Sequence, residues 1–291
     1  MLWSILKAVR PHQWVKNLFV AAPLVFAKRM GDLSSDLRAG AAFAAFCLLT
    51  SAVYLLNDLV DLEKDRAHPI KRNRPIASGK LKVEVARVLA ALFAVAALGS
   101  GLALGWGFAA TATAYLALNV AYSLRLKRVP FVDVACIAVG FLLRVLAGAL
   151  AVGVPASHWL LVCTLLLSSL LGFGKRAHEL RIGGEESHKH REVLGAYDAR
   201  VLRLLLAVLG VATIGAYLVY TLTARTGELF AGGRLVFTVP FAAFGVFRFI
   251  RIVSRTDKAD SPTDSMLHDP WFVANLVLYA GTVVAIAAFA P

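Results

Sequence analysis

The chain alternates between long uncharged runs and short stretches dense in charge. Residues 39–56 carry no charged side chain, and neither do residues 88–124. A membrane-spanning helix needs about 20 apolar residues to cross about 30 Å of hydrocarbon, so the second run is too long for one span. It breaks at GSGLALGWG (99–107), whose glycines suit a tight turn between two helices. The stretch 145–174 is interrupted in the same way by VGVPASH at 152–158. Residues 204–224 and 270–291 read as complete spans; 235–252 and 14–29 are weaker, the latter short and carrying Pro23. The pattern predicts an all-α polytopic membrane protein, a bundle of about nine transmembrane helices forming one domain over 1–291. Residues 1–13 stand apart: Trp3, Leu6 and Val9 fall on one side and Lys7 and Arg10 on another, which suits a short helix in the membrane interface.

Composition agrees. Of the 291 residues 59% are hydrophobic and only 17% charged, against about 25% charged in soluble domains, and the mean hydropathy is +0.70. These values exclude an ordinary soluble enzyme and a disordered chain. The net charge of +13 would suggest nucleic acid on a soluble protein, but its distribution explains it otherwise. Of 31 Lys and Arg, 25 fall on the side of the N-terminus; Lys28, Arg29, Arg38, Arg225 and Arg234 fall on the other, and Arg144 lies inside a span. By the positive-inside rule the protein belongs in the inner (plasma) membrane with its N-terminus cytoplasmic and its C-terminus outside, and no nucleic-acid partner is required. No small-residue cleavage site precedes Lys16, so a cleaved signal peptide is not expected. Cys47, Cys136 and Cys163 are isolated in apolar segments and read as packing residues. The two long charged loops, about 58–82 and 175–199, are the places for chemistry, while Glu185, Glu186, His188, Lys189 and His190 read as solvated loop. The uneven loops hint at two related halves, without a convincing sequence repeat.

The sharpest chemical signal is Asn57-Asp58-Leu59-Val60-Asp61-Leu62-Glu63-Lys64-Asp65, where an apolar helix gives way to a charged loop. Helical spacing puts Asn57, Asp61 and Asp65 on one face, with Asp58 alongside. Three carboxylates and an amide make a hard-oxygen site suited to Mg²⁺, which takes one or two protein carboxylates and fills its remaining positions with phosphate and water. The alternative is a solvated helix end whose acids offset nearby cations. Directly after comes a basic loop, DRAHPIKRNRPIASG at 65–79, with Lys71, Arg72 and Arg74. Alone it would be topological or lipid-facing. Beside an acidic metal site it describes a diphosphate cradle. Arg144 carries a charge where insertion costs about 2.5–3.5 kcal/mol, so it should face the bundle interior or water. Gly140 and Gly148 flank it one turn away, and Asp133 lies three turns earlier, nearly in line. The alternative is an internal ion pair that fixes helix packing.

The NDxxDxxxD pattern at 57–65 resembles the first aspartate motif of the UbiA superfamily of intramembrane prenyltransferases. In that superfamily the motif holds Mg²⁺ and a diphosphate over a central cavity open to lipid. RPHQWVKN at 10–17, DRAHPIKRNRPIASG at 65–79, YSLRLK at 122–127, FLLRVLAGALA at 141–151 and GKRAHEL at 174–180 resemble one branch, the polyprenyl-phosphate (decaprenyl-type) phosphoribosyltransferases. The similarity is weak beyond about residue 200. Members that use prenyl diphosphates carry a second DxxxD-like motif where this chain has Lys175, Arg176, His178 and Glu179, a change suited to a donor with an additional phosphate.

The resemblance implies Mg²⁺-dependent transfer of a 5-phosphoribosyl group from soluble 5-phosphoribosyl 1-diphosphate to a lipid-linked polyprenyl phosphate, with release of pyrophosphate. It implies Asp58, Asp61 and Asp65 as catalytic and, with Asn57, metal-binding residues. Lys16, Lys71, Arg72, Arg74, Tyr122, Lys127, Arg144, Lys175, Arg176 and Glu179 would contact substrate. Without it, Tyr122, Lys127 and Lys16 would read as interfacial anchors, and Lys175 with Glu179 as an i,i+4 pair. In that reaction the acceptor is already an anion, needs no strong base, and displaces pyrophosphate in line with inversion; Lys16 would hold its phosphate. Three alternatives remain: prenyl transfer from a prenyl diphosphate to an aromatic acceptor, a transporter with ionisable residues in its bundle, and a lipid-binding scaffold. Isoprenoid length and oligomeric state are not encoded in these motifs.

Overall fold

A computed structural model describes residues 1–183, 192–230, 233–255 and 262–289. All regular structure among them is helical. In chain order it comprises α1 (Leu2–Val9), a 3₁₀ helix (Pro11–Asn17), α2 (Leu18–Phe26), α3 (Leu33–Val60), α4 (Leu62–Ala67), α5 (Val83–Leu104), α6 (Trp106–Leu124), α7 (Val132–Val152), α8 (His158–Gly183), α9 (Ala199–Leu222), α10 (Ala224–Leu229), α11 (Val239–Arg255), α12 (Pro262–Leu267) and α13 (Pro270–Phe289). Among the described residues seven helices are long and apolar enough to cross a membrane: Leu33–Val60, Val83–Leu104, Val132–Val152, His158–Ile182, Ala199–Leu222, Arg234–Arg255 and Pro270–Ala287.

The expected count of nine differs from these seven at two places, for local reasons. The segment at 14–29 is divided between a 3₁₀ helix that opens on Pro11 and a nine-residue α2 with Pro23 inside it. Helix α6, though 19 residues long, carries Thr111, Thr113, Asn119 and Ser123 in its interior, which lowers its apolar character. The expected breaks fall where glycine supplies them. Gly105 (φ 120°) separates α5 from α6, and Gly153 (φ 75°) follows α7. Glu185, Glu186, His188, Lys189 and His190 lie outside the described residues.

The chain divides into two compact units, Met1–Lys127 with Leu142–Ala156, and Arg128–Phe141 with Ser157–Pro291. In the first, α3 begins at Asp32, whose carboxylate accepts the Ser35 hydroxyl and, at 3.2 Å, the Ser35 N–H; the hydroxyl bond first and the N–H bond second hold the exposed carboxyl below its ordinary value. The core of this unit gathers Val20, Phe46, Leu49, Phe108 and Tyr115, with the Phe46 and Phe108 rings edge to face at 5.9 Å. Arg38 donates to the Leu104 carbonyl at 2.7 Å and to that of Ala151, satisfying carbonyls at the C-terminal ends of α5 and α7. Helices α2 and α7 touch through backbone: a Cβ built on Gly148 would stand 1.9 Å from the Val20 carbonyl oxygen, so only glycine fits there.

The second unit packs α8 against α9 and α11 around Leu170, Leu206, Val246, Phe249 and Val253. Its close approaches again use glycine. A Cβ on Gly172 would meet Val134 at 2.7 Å, and one on Gly174 would meet the Phe249 ring at 2.4 Å. Asp198 caps α9 by accepting the N–H groups of Arg200 and Val201 at 2.7 and 3.0 Å, which lowers its carboxyl below the ordinary value. Helix α11 is tied to the start of α13 by a two-pronged ion pair in which Arg248 Nε and Nη2 donate to Asp269 at 3.0 and 2.7 Å.

Candidate active site

Helix α3 ends at Val60 with Asp61 as its C-cap, and α4 restarts at once. The acid motif therefore follows an almost continuous helical path, and its side chains divide into two groups. Asp58 and Asp65 share Arg74, whose Nη1 lies 3.1 Å from Asp58 Oδ1 and 2.6 Å from Asp65 Oδ2. Asp58 Oδ1 also accepts Arg10 Nη2 at 2.6 Å. On the other side Lys127 Nζ lies 2.6 Å from both oxygens of Asp61 and 3.4 Å from Asn57 Oδ1. Asp58 and Asp65 are only 2% and 3% exposed. Burial pushes the Asp65 carboxyl above its ordinary value, while Arg74 pulls it back.

Stacked like charges require a cation between them, and here guanidinium and ammonium groups supply it. Among the described residues no three acidic, imidazole or thiolate groups converge on one point, so the motif is not a finished metal cage. Arg74 joins Asp58 to Asp65, and Lys127 joins Asp61 to Asn57. The chemistry of the donors nonetheless fits a hard divalent cation: they are all oxygen, and Asp58 Oδ2 is buried and makes no hydrogen bond among the described residues.

The basic loop is ordered as its prolines and glycine suggest. A 3₁₀ turn covers Lys71–Asn73, and Gly79 adopts φ 76°. Its arginines behave differently. Arg74 is engaged by the acids, whereas Arg72 is exposed and Lys71 half-buried. Lys16 and Tyr122 are also half-buried.

Arg144 is 6% exposed and forms its own network. Its Nε donates to Asn17 Oδ1 at 3.0 Å and its Nη2 to the Tyr115 hydroxyl at 2.7 Å. The guanidinium also lies over the Tyr115 ring, 4.7 Å from its centre. Asn17, fully buried, donates in turn to Thr50 Oγ1 at 3.2 Å.

Asp133, the in-line candidate on the same helix, belongs to another network in the second unit. Arg176 Nε lies 2.9 Å from Asp133 Oδ2, both side chains being 0% exposed. Arg176 also pairs with Glu179 one turn on. The Tyr197 hydroxyl donates to Asp133 Oδ1 at 2.7 Å and accepts the Phe131 N–H at 2.7 Å, where Phe131 holds φ 64°. Burial, with the Asp133 hydrogen bond, pushes the Tyr197 phenol up to about 12. Arg176 is thus sealed between acids, while its neighbour Lys175 is half-buried.

The profile of the UbiA prenyltransferase family matches residues 17–276. The chain belongs to that family. Within it, the sequence is 34% identical over 260 residues to the decaprenyl-phosphate phosphoribosyltransferase of Mycolicibacterium smegmatis, covering 84% of this chain and 81% of that protein. It is 37% identical over 220 residues to the protein of the same name from Corynebacterium glutamicum, covering 74% and 66% of the two chains. The fold is also that of a UbiA homologue from Archaeoglobus fulgidus solved with GPP and Mg²⁺, with TM-score 0.73 and 17% identity over 98% of this chain and 99% of that one. The protein is a multi-pass membrane transferase of the UbiA type.

Sequence reasoning missed Arg10, Asn17, Tyr115 and Tyr197 as partners in these networks. Weak signals for them exist. Arg10 precedes a proline at the end of an amphipathic segment, and Tyr197 is the one tyrosine in the charged stretch before Asp198. Neither signal names a partner 48 or 64 residues away.

Proposed function

We propose that this UbiA protein transfers a 5-phosphoribosyl group from 5-phosphoribosyl 1-diphosphate to a polyprenyl phosphate of decaprenyl type, releasing pyrophosphate. One observation carries the reading: relatives named for that reaction match 84% and 74% of the chain at 34% and 37% identity. In this reading Asn57, Asp58, Asp61 and Asp65 hold a divalent cation, Mg²⁺, which when bound neutralises charge on the leaving pyrophosphate. Lys71, Arg72 and Arg74 grip the diphosphate by charge-assisted hydrogen bonds. Lys16 receives the lipid phosphate, with Tyr122 and Lys127 lining its approach. Lys175 takes the donor's 5-phosphate. Arg176 and Arg144 act indirectly, since each is spent on protein partners: Arg176 fixes Glu179 and Asp133, and Arg144 fixes Asn17 and Tyr115. The 1–291 chain works as one domain, with its N-terminus and the loops near 58–82 and 175–199 in the cytoplasm of a cell bounded by an inner (plasma) membrane.

The deciding experiment supplies purified protein with Mg²⁺ and polyprenyl phosphate, and compares labelled phosphoribosyl diphosphate with a labelled prenyl diphosphate plus 4-hydroxybenzoate. A labelled lipid only from the first supports the proposal. A labelled product only from the second replaces it with prenyl transfer.

A further inference from the structure

Helix α1 does more than lie at an interface. Ala8 and Val9 at its end pack with Leu55 of α3, with Ile76 of the basic loop and with Leu81 just after it. The next residue, Arg10, takes φ 53° and ψ 63°, a left-handed conformation that is strained for a non-glycine residue. That turn ends α1 and starts the 3₁₀ helix. The Arg10 guanidinium lies 5.1 Å from the centre of the Tyr54 ring and 2.6 Å from Asp58 Oδ1. Arg10 precedes the 17–276 stretch matched by the family profile.

The electrostatics of this contact are unbalanced. Asp58 receives two guanidinium groups on a single oxygen, Oδ1, while Oδ2 is buried with no hydrogen bond among the described residues. A buried acceptor without a donor is costly, and a hard cation is the group that would satisfy it. Asp58 is 2% exposed, whereas the side chain of Arg10 is 23% exposed. The carboxylate is fixed, and the arginine stands at the edge where an anion from solution can meet it.

We propose that Arg10 is a substrate-binding residue that exchanges partners. At rest it is the counter-ion of Asp58; when that carboxylate takes a divalent cation, the guanidinium moves to the diphosphate that arrives with it. This rests on the reading of the acid motif as a metal–diphosphate site. Its consequence is coupling. The cation alone must displace Arg10 from Asp58, while cation and diphosphate together give Arg10 a new anion.

The test is Mn²⁺ binding to the full-length protein in detergent, followed by electron paramagnetic resonance with and without inorganic pyrophosphate. For the unmodified protein, pyrophosphate should tighten Mn²⁺ binding about tenfold or more, the effect of one or more charge-assisted bonds. Arg10→Gln should bind Mn²⁺ alone more tightly than the unmodified protein and lose most of the gain from pyrophosphate. If Arg10→Gln does not fold, Arg10→Lys, which keeps the charge without the fork, should show a reduced gain, and an unchanged gain would overturn the proposal. Unchanged Mn²⁺ affinity and unchanged gain in Arg10→Gln, where Asp58→Asn abolishes binding, would overturn this proposal alone. Mn²⁺ bound as tightly by Asp58→Asn as by the unmodified protein would overturn the metal reading and this proposal with it.

Discussion

Two acid–arginine clusters in this molecule use the same chemistry in opposite ways. Around Asp58 the acids Asp58 and Asp65 are buried while their arginines are not: the side chains of Arg10 and Arg74 are 23% and 27% exposed. Around Asp133 both partners are sealed, with Asp133 and Arg176 at 0%. An exposed cation can trade one anion for another at small cost, because water covers the intermediate states. A sealed pair cannot: removing either member strands a charge, and the penalty far exceeds what the pair contributes relative to an apolar one. On the proposed reading the first cluster serves exchange and the second serves position, although both sit beside motifs that resemble substrate-binding segments of one enzyme branch.

The contrast breaks most sharply under acid-to-amide substitution in the first cluster. Asp61→Asn and Asp65→Asn are each expected to lower turnover about a thousandfold or more, since a metal's stabilisation of a leaving group is worth several kcal/mol. Thermal unfolding in detergent should show both variants folded; normal turnover in both would remove the acids from the reaction.

In the second cluster stability should fail instead. Asp133→Ala or Arg176→Ala is expected to cost about 3–5 kcal/mol, and the apolar pair Asp133→Leu with Arg176→Met should recover most of it. Unfolding midpoints of the three proteins check this. Lys175→Ala supplies the sharper contrast on the same helix: a folded protein whose donor KM rises about tenfold while the lipid acceptor's does not. An unchanged donor KM there would detach α8 from the donor altogether.

Tyr197→Phe should be milder, about 1–3 kcal/mol, because it leaves the Phe131 N–H and an Asp133 oxygen unsatisfied without stranding a charge. The smallest effect belongs to Asp269. Its hydrogen bonds from Arg248 hold its carboxyl below the ordinary 3.8, so its contribution is complete above that value and lost as pH falls through the lower, folded one. Asp269→Asn should cost about 1 kcal/mol at neutral pH, and the gap to the unmodified protein should close in acid. A gap that persists once the carboxyl is fully protonated would assign the cost to packing.

Much of this was readable from the residues alone. Glycine at 105 and 153 ends helices because φ there is positive, and the acid motif announces itself through spacing. Partner choice was not readable. Arg144 stands in line with Asp133 on α7, yet it bonds Asn17 and Tyr115, while Asp133 bonds Tyr197 and pairs with Arg176. Helical periodicity fixes which face a side chain occupies; which distant segment meets that face is a property of packing. The first apolar segment, 14–29, was less legible for a related reason: hydropathy averages over Pro23, whereas a backbone cannot.

Gly148 carries a consequence for anyone scanning this enzyme at random. The position follows Arg144 by one turn, and Val20 follows Asn17 by nearly one. The touching backbones at 148 and 20 therefore set the distance across which Arg144 reaches Asn17. A single methyl group there would push the two helices apart and sever that bond. In a loss-of-activity screen Gly148 would score beside the aspartates, and an engineer ranking positions by damage would mistake a spacer for a participant.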